Sequence, residues 1–289
     1  MRSMKKVFLC ACSNLWKWKV SPRVYVVTLV VIVYACLNIP EISLHAASRG
    51  LGVTPWVFVG YYSSTLMTAL YGFLVIMLFS NAPFADRQAP FLMIRTGRAV
   101  WLVGQIAYIL IASFLFVLFH FILFIVLSLP NVGFSTDWGT VIRSLAINPE
   151  WGGMSTVAFS SHILQIFTGP EATALTFFLL WLVAVFLGSV IFCFNLLSRK
   201  NVGVVLAAFL VVFSYFAMAG AGELVLGPKA AYLAPTNWCC LSLLNWGGSE
   251  RLPSFSYAVT VLSTGIVLFF TLSLIVFCKT DVVFRKEDL

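Results

Sequence analysis

Residues 81–101 read NAPFADRQAPFLMIRTGRAVW, a basic island punctuated by prolines and set between two apolar runs. Both runs are long enough to cross a bilayer, so the island is a loop at a membrane face. Pro83 and Pro90 disfavour helix at the residue before them, Pro90 suits the first turn of a new helix, and Gly97 suits its end. The spacing predicts a short helix over 90–96. Phe91, Leu92, Met93 and Ile94 share roughly two turns with Arg87, Arg95 and Arg98, the composition of a small docking element at a membrane surface. Anchoring of the arginines to lipid headgroups accounts for the same local pattern.

The rest of the composition agrees with a membrane setting. Hydrophobic residues make up 61% of the chain and charged residues 10%, and the mean hydropathy is +1.00. A soluble domain carries roughly a quarter charged residues. The expectation is an all-α integral membrane protein with a single membrane domain over 1–289. The formal charge of +8 resides in short loops beside apolar spans and forms no long stripe, so membrane orientation explains it and no nucleic-acid partner is expected. The seven cysteines show no zinc-type spacing, and no metal site is expected. Cys36, Cys193 and Cys278 lie in or at the ends of apolar runs as small hydrophobes. The neighbours Cys239 and Cys240 are poorly placed for an unstrained disulfide.

Along the chain, residues 1–22 lack the long apolar core and small-residue cleavage site of a secretory signal. As a helix they place Lys6, Ser13 and Lys17 on one side and Met4, Phe8, Ala11 and Leu15 on the other. That is an interfacial helix with Trp16 and Trp18 at headgroup depth, broken by Pro22 into an elbow. Six spans follow, at about 24–39, 56–79, 100–129, 172–197, 204–220 and 257–278. The first is short and stops at Pro40. The third, near 45 Å as a helix, must tilt, kink or extend beyond a core of roughly 30 Å. Residues 130–171 form the longest polar segment. Residues 221–254 are too apolar for a free loop and too broken by Gly and Pro for a span. Thr236 or Asn237 is expected to cap a short helix closed by Gly247, giving a re-entrant or interfacial hairpin.

Fourteen of the eighteen Lys and Arg residues fall on one face: both termini, the 81–101 island and the 198–203 turn with Arg199 and Lys200. These segments are therefore expected in the cytoplasm, with 130–171 and 221–254 outside. No carboxylate lies within a span, which argues against ion-gradient coupling. His120 is the one ionisable side chain in mid-span, either a pathway contact or a neutral ring bonded within the helices. Tyr61, Tyr62, Ser63, Ser64, Thr65 and Thr68 offer polar groups to a pathway, or the close helix packing that small and hydroxylated residues allow. No nucleophile elbow or HExxH occurs, and Lys never directly follows Gly, so there is no Walker A. The chain is not expected to be an enzyme on its own.

The arrangement resembles the permease subunits of type 2 ABC transporters. The matching pieces are the N-terminal elbow helix with Pro22, the helix in PFLMIRTGR between spans two and three, the small second turn SRKN, and the segment APTNWCCLSLLNW between spans five and six. The tryptophan of RTGRAVW at the start of span three matches as well. The longer 130–171 segment departs from a minimal permease. The resemblance implies a dimer with a second permease copy or homologue and a separate cytoplasmic ABC ATPase, which carries the ATP and Mg; this chain holds no cofactor. It assigns Phe91, Leu92, Met93, Ile94 and Arg95 to the ATPase contact, flanked by Arg87 and Arg98, with Arg199 and Lys200 as a second cytoplasmic contact. Tyr61, Tyr62, Ser64, Thr65, Thr68 and His120 become candidate pathway-lining residues. The implied activity is export of an amphipathic or lipophilic substrate, such as a peptide, lipid or drug, across the cell (plasma) membrane. The alternative function is a non-transporting scaffold or sensor subunit that recruits a cytoplasmic partner.

Overall fold

The computed structural model describes residues 2–84, 89–129, 131–148, 157–198, 200–227, 229–247 and 250–279. In an apolar chain the backbone amides must pair internally, and helix is the local way to do so. Twelve α-helices result among the described residues: α1 (Arg2–Trp16), α2 (Pro22–Ala47), α3 (Val57–Tyr61), α4 (Thr65–Phe79), α5 (Ala89–Thr96), α6 (Arg98–Ser128), α7 (Gly139–Ile147), α8 (Ser161–Ile166), α9 (Gly169–Ser198), α10 (Val202–Met218), α11 (Gly220–Leu226) and α12 (Phe255–Lys279). Extended pairing among the described residues is confined to the isolated bridges Val53–Val132 and Asn245–Ser254. Four helices, α2, α6, α9 and α12, are long and apolar enough to cross a membrane. The apolar helices α4 and α10 are shorter, with 15 and 17 residues. These segments fit an α-helical membrane-embedded protein.

Contacts sort the helix ends into two sets. At one end Asn195 Nδ2 donates to the Ala82 carbonyl (3.0 Å) and Asn195 Oδ1 accepts from Gly203 N–H (2.8 Å). Phe84 lies against Phe192, and Trp101 stacks on Phe277. At the other end Val53 N–H donates to the Asn131 carbonyl (2.8 Å) and Ser43 Oγ to the Ser128 carbonyl (3.3 Å). Trp138 Nε1 there donates to Phe167 O (2.7 Å), and Trp246 packs on both Phe167 and Phe255. Helix α9 is the central rod, with 72% of its most apolar window buried, and packs on α4, α6, α10 and α12.

Several boundaries differ from the sequence reading. Helix α2 runs through Pro40 to Ala47 and does not stop at residue 39. Proline removes one ladder bond, but Ile39, Ile42 and Ala46 are buried, and that burial along α6 holds the helix on. The expected span 56–79 is split at Tyr62–Ser64. The Gly60 carbonyl there accepts from Ser63 N–H (3.2 Å) and from Ala158 N–H (3.3 Å), which ends the first ladder, while Ser64 Oγ caps α4 at Leu66 N–H (3.2 Å). The fifth apolar run ends at Met218 and turns into α11, where a Cβ on Gly222 would lie 2.1 Å from the Phe216 carbonyl. Residues 230–243 form no α-helix capped by Thr236 or Asn237. They make three short 3-10 turns, Ala230–Leu233, Pro235–Cys239 and Leu241–Leu243, because the Asn237 side chain is used in tertiary bonds.

Candidate functional site

Helix α5 has the expected length, with Gly97 N–H closing on the Met93 carbonyl (2.8 Å) at φ +92°. Only glycine takes that φ without strain. One face of α5 is held: Ala89 and Met93 are buried and Leu92 is packed on the core. The other face carries Phe91, 74% exposed, and Ile94, 86% exposed, with Arg95 and Arg98 exposed beside them. Arg87 and Arg199 lie outside the described residues, and Lys200 is exposed.

The described residues nearest α5 on both sides are packed on the bundle. Before it, Phe84 is buried at φ +59°, a left-handed backbone unusual for an aromatic residue. Its ring packs on Tyr108 (4.8 Å between centroids), Phe79 and Phe192, and this aromatic seat offsets the backbone cost. Asn195 fixes Ala82 two residues earlier. After it, α6 begins directly and receives α1: a Cβ on Gly104 would lie 2.6 Å from the Cys10 Cβ. Asn14 Nδ2 donates to Gln105 Oε1, and Trp18 Nε1 donates to Tyr108 Oη (2.8 Å). Burial pushes the Cys10 thiol up from its ordinary value, and the neighbouring Thr96 hydroxyl opposes that, which places α1 beside the end of α5.

The hydroxylated and aromatic candidates gather elsewhere. Tyr61, Tyr62, Thr68 and His120 are buried, whereas Ser63, Ser64 and Thr65 are half-buried. His120 Nδ1 lies 2.7 Å from the Phe116 carbonyl, so the tautomer protonated there donates within its own helix. Its ring packs against Phe116, Tyr71 and Tyr62. Next to this cluster Thr68 Oγ1 donates to Asn237 Oδ1 (2.7 Å), and Asn237 Nδ2 donates to the Ser214 carbonyl (2.7 Å). The 3-10 segment is thereby clasped to α4 and α10.

Sequence reasoning passed over Asn195, Ser214, Gln105 and Asn14, and read Asn237 only as a helix cap. The signal that finds most of them is an amide in an otherwise apolar run, which has to satisfy its donors and acceptors across a helix interface; counting only ionisable groups misses it. On the far end, Arg143 Nη2 donates to both carboxylate oxygens of Asp137 (2.8 and 3.0 Å) and holds that carboxyl below its ordinary value. Among the described residues no three His, Cys, Asp or Glu gather as a metal site. No family model matches the chain, and no curated protein matches it.

Proposed function

We propose that this chain is the membrane-spanning permease subunit of an ATP-driven ABC exporter for an amphipathic or lipophilic substrate. It works in the cell membrane as a dimer with a second copy or a homologue, and a separate cytoplasmic ATPase supplies ATP and Mg. In this reading α2, α3 with α4, α6, α9, α10 and α12 are the six spans. The end that carries α5 and Asn195 is cytoplasmic, in keeping with the lysine and arginine bias. Helix α1 is the elbow, α5 is the coupling helix and residues 230–247 are the re-entrant segment that closes the outer end.

The observation that carries the reading is the exposed pair Phe91 and Ile94 on a helix whose opposite face is buried. Two exposed apolar side chains on a loose loop would transmit nothing. On a helix packed on the bundle through Ala89, Leu92 and Met93 and joined directly to α6 at Gly97, a push at Phe91 and Ile94 is passed to α6. Closure of two ATPases around ATP provides that push, and the spans respond by exposing the substrate path to the outer side.

Replacing both Phe91 and Ile94 with Asp tests it, since burying a carboxylate in an apolar groove costs several kcal/mol unless it finds a partner. The double variant is expected to purify at unchanged yield and monodispersity but without the ATPase that co-purifies with the parent chain. Full ATPase retention with normal transport would reduce α5 to a headgroup anchor.

A further inference from the structure

Helix α1 divides into three faces. At about 100° per residue, Val7, Cys10, Ala11 and Asn14 cluster on the side that meets α6, and Cys10, Ala11 and Asn14 are buried there. Met4 (78% exposed), Phe8 (59%), Leu9 (65%) and Trp16 (67%) spread over a second side. Lys6 and Ser13 lie on the third, and Lys5 sits among the apolar residues near the seam. The sequence pattern put Ala11 on the membrane face. The structure moves it to the protein face, where it is fully buried beside Cys10, whose Cβ and the Val7 carbonyl make the close approach to Gly104.

We infer that α1 and the turn after it bind the anionic phospholipid headgroups of the leaflet they lie in. The seated side fixes the height and roll of α1, so its apolar side and its cations have defined places relative to the bundle. Residues 1–40 contain Arg2, Lys5, Lys6, Lys17, Lys19 and Arg23 and no Asp or Glu. Lys5, Lys6, Lys19 and Arg23 are exposed. The ammonium of Lys19 lies 3.8 Å from the Trp16 ring centroid, and Tyr25 Oη donates to the Lys19 carbonyl (2.6 Å). An aromatic residue suited to headgroup depth thus sits against a fixed cation. Charge complementarity and the exposed apolar side select an anionic lipid surface over an acidic protein, which would leave Met4, Phe8 and Leu9 in water. The inference holds whether or not the chain is a transporter.

Each cation near an anionic surface strengthens association roughly fivefold at low screening, about 1 kcal/mol. The full chain is purified in mild detergent and exchanged into micelles containing equimolar phosphatidylcholine and phosphatidylglycerol, and retained lipids are counted by native mass spectrometry. Phosphatidylglycerol is expected to be enriched, and K5Q/K6Q/K19Q to lower its apparent affinity by roughly a hundredfold before salt screening, about 3 kcal/mol. The triple variant R143Q/K229Q/R251Q at the opposite end is expected to retain the enrichment. Equal loss in both variants, or no preference in the parent chain, overturns the inference. Thermal unfolding and gel filtration of each variant verify that the bundle persists, and hydrogen exchange over residues 4–20 in the same micelles reports α1 directly if lipid counting is obscured by bulk detergent. Slower exchange with phosphatidylglycerol in the parent and not in K5Q/K6Q/K19Q supports it; identical exchange refutes it.

Discussion

Asn237 holds a segment without α-helix inside a helical bundle, and its removal should loosen the outer end alone. Asn237→Ala deletes the bond from Thr68 Oγ1 and the bond to the Ser214 carbonyl, both 2.7 Å. Each is worth about 0.6 kcal/mol on average in a bilayer and about 1.7 at most, so the pair contributes about 1–3 kcal/mol. Thr68 keeps a bond to the Thr65 carbonyl (2.9 Å), so its hydroxyl is not orphaned and the larger penalty of an unpaired buried donor does not apply. A double-mutant cycle with Thr68→Val isolates the Thr68–Asn237 bond, with an expected coupling of about 0.6–1.7 kcal/mol. The assay is reversible unfolding in mixed micelles. A second readout is thiol labelling of Cys239 and Cys240, both buried beside the clasp, which should accelerate in Asn237→Ala. Strict additivity of the two substitutions, together with unchanged labelling, would refute the clasp.

Asn195→Ala removes the tie between the linker before α5 and the start of α10 and leaves the buried Gly203 N–H without its acceptor. A loss of about 1–3 kcal/mol in unfolding free energy is expected, with faster hydrogen exchange over residues 81–84. At the other end, Asp137 is exposed and held below its ordinary carboxyl value by Arg143. Because its folded pKa is depressed, its contribution is present above the unfolded pKa and fades as pH falls through the folded one. A difference in unfolding midpoint between the parent and Arg143→Ala should therefore exist at neutral pH and vanish in acid, and a difference that persists unchanged in strong acid would assign it to packing.

Helix α5 was legible because its limits depend on local chemistry: Pro90 starts a helix and Gly97 ends one. The lysine and arginine clustering likewise needs no tertiary information. Pro40 was read as a stop for the same local reason, and there the local rule lost to burial of Ile39, Ile42 and Ala46 along α6. The break at Tyr62–Ser64 leaves little local trace, since FVGYYSSTL carries no proline, and the Ala158 amide that helps end the ladder comes from a distant segment. Asn237 was taken for a helix cap because Asn is a good one; two bonds to other helices claimed it instead. Apolar periodicity separates a lipid face from a core face only when the partner helix is known, which is why Ala11 was misplaced.

Two polar nodes, Asn195 at one end and Asn237 at the other, sit on a shared pair of helices. The Asn195 node holds Ala82, just past α4, and Gly203, at the start of α10. The Asn237 node holds Thr68 near the other end of α4 and Ser214 near the other end of α10. Between the nodes the two helices press together at Gly72, where a Cβ would lie 2.7 Å from Val211 Cγ2. Among the described residues, α2, α6 and α12 contribute no side chain to either node. A displacement that reaches residues 81–84 is carried to the 3-10 segment through α9, which bears Asn195 and packs on Pro235–Cys239, and through α4 and α10 as a pair in contact at Gly72 and Val211. In the transporter reading this pair is the element that must exist in two arrangements if ATP closure is to open the outer end. The seats at Phe84 and Asn195 would then be kept in both arrangements, while the bonds of Asn237 are those exchanged.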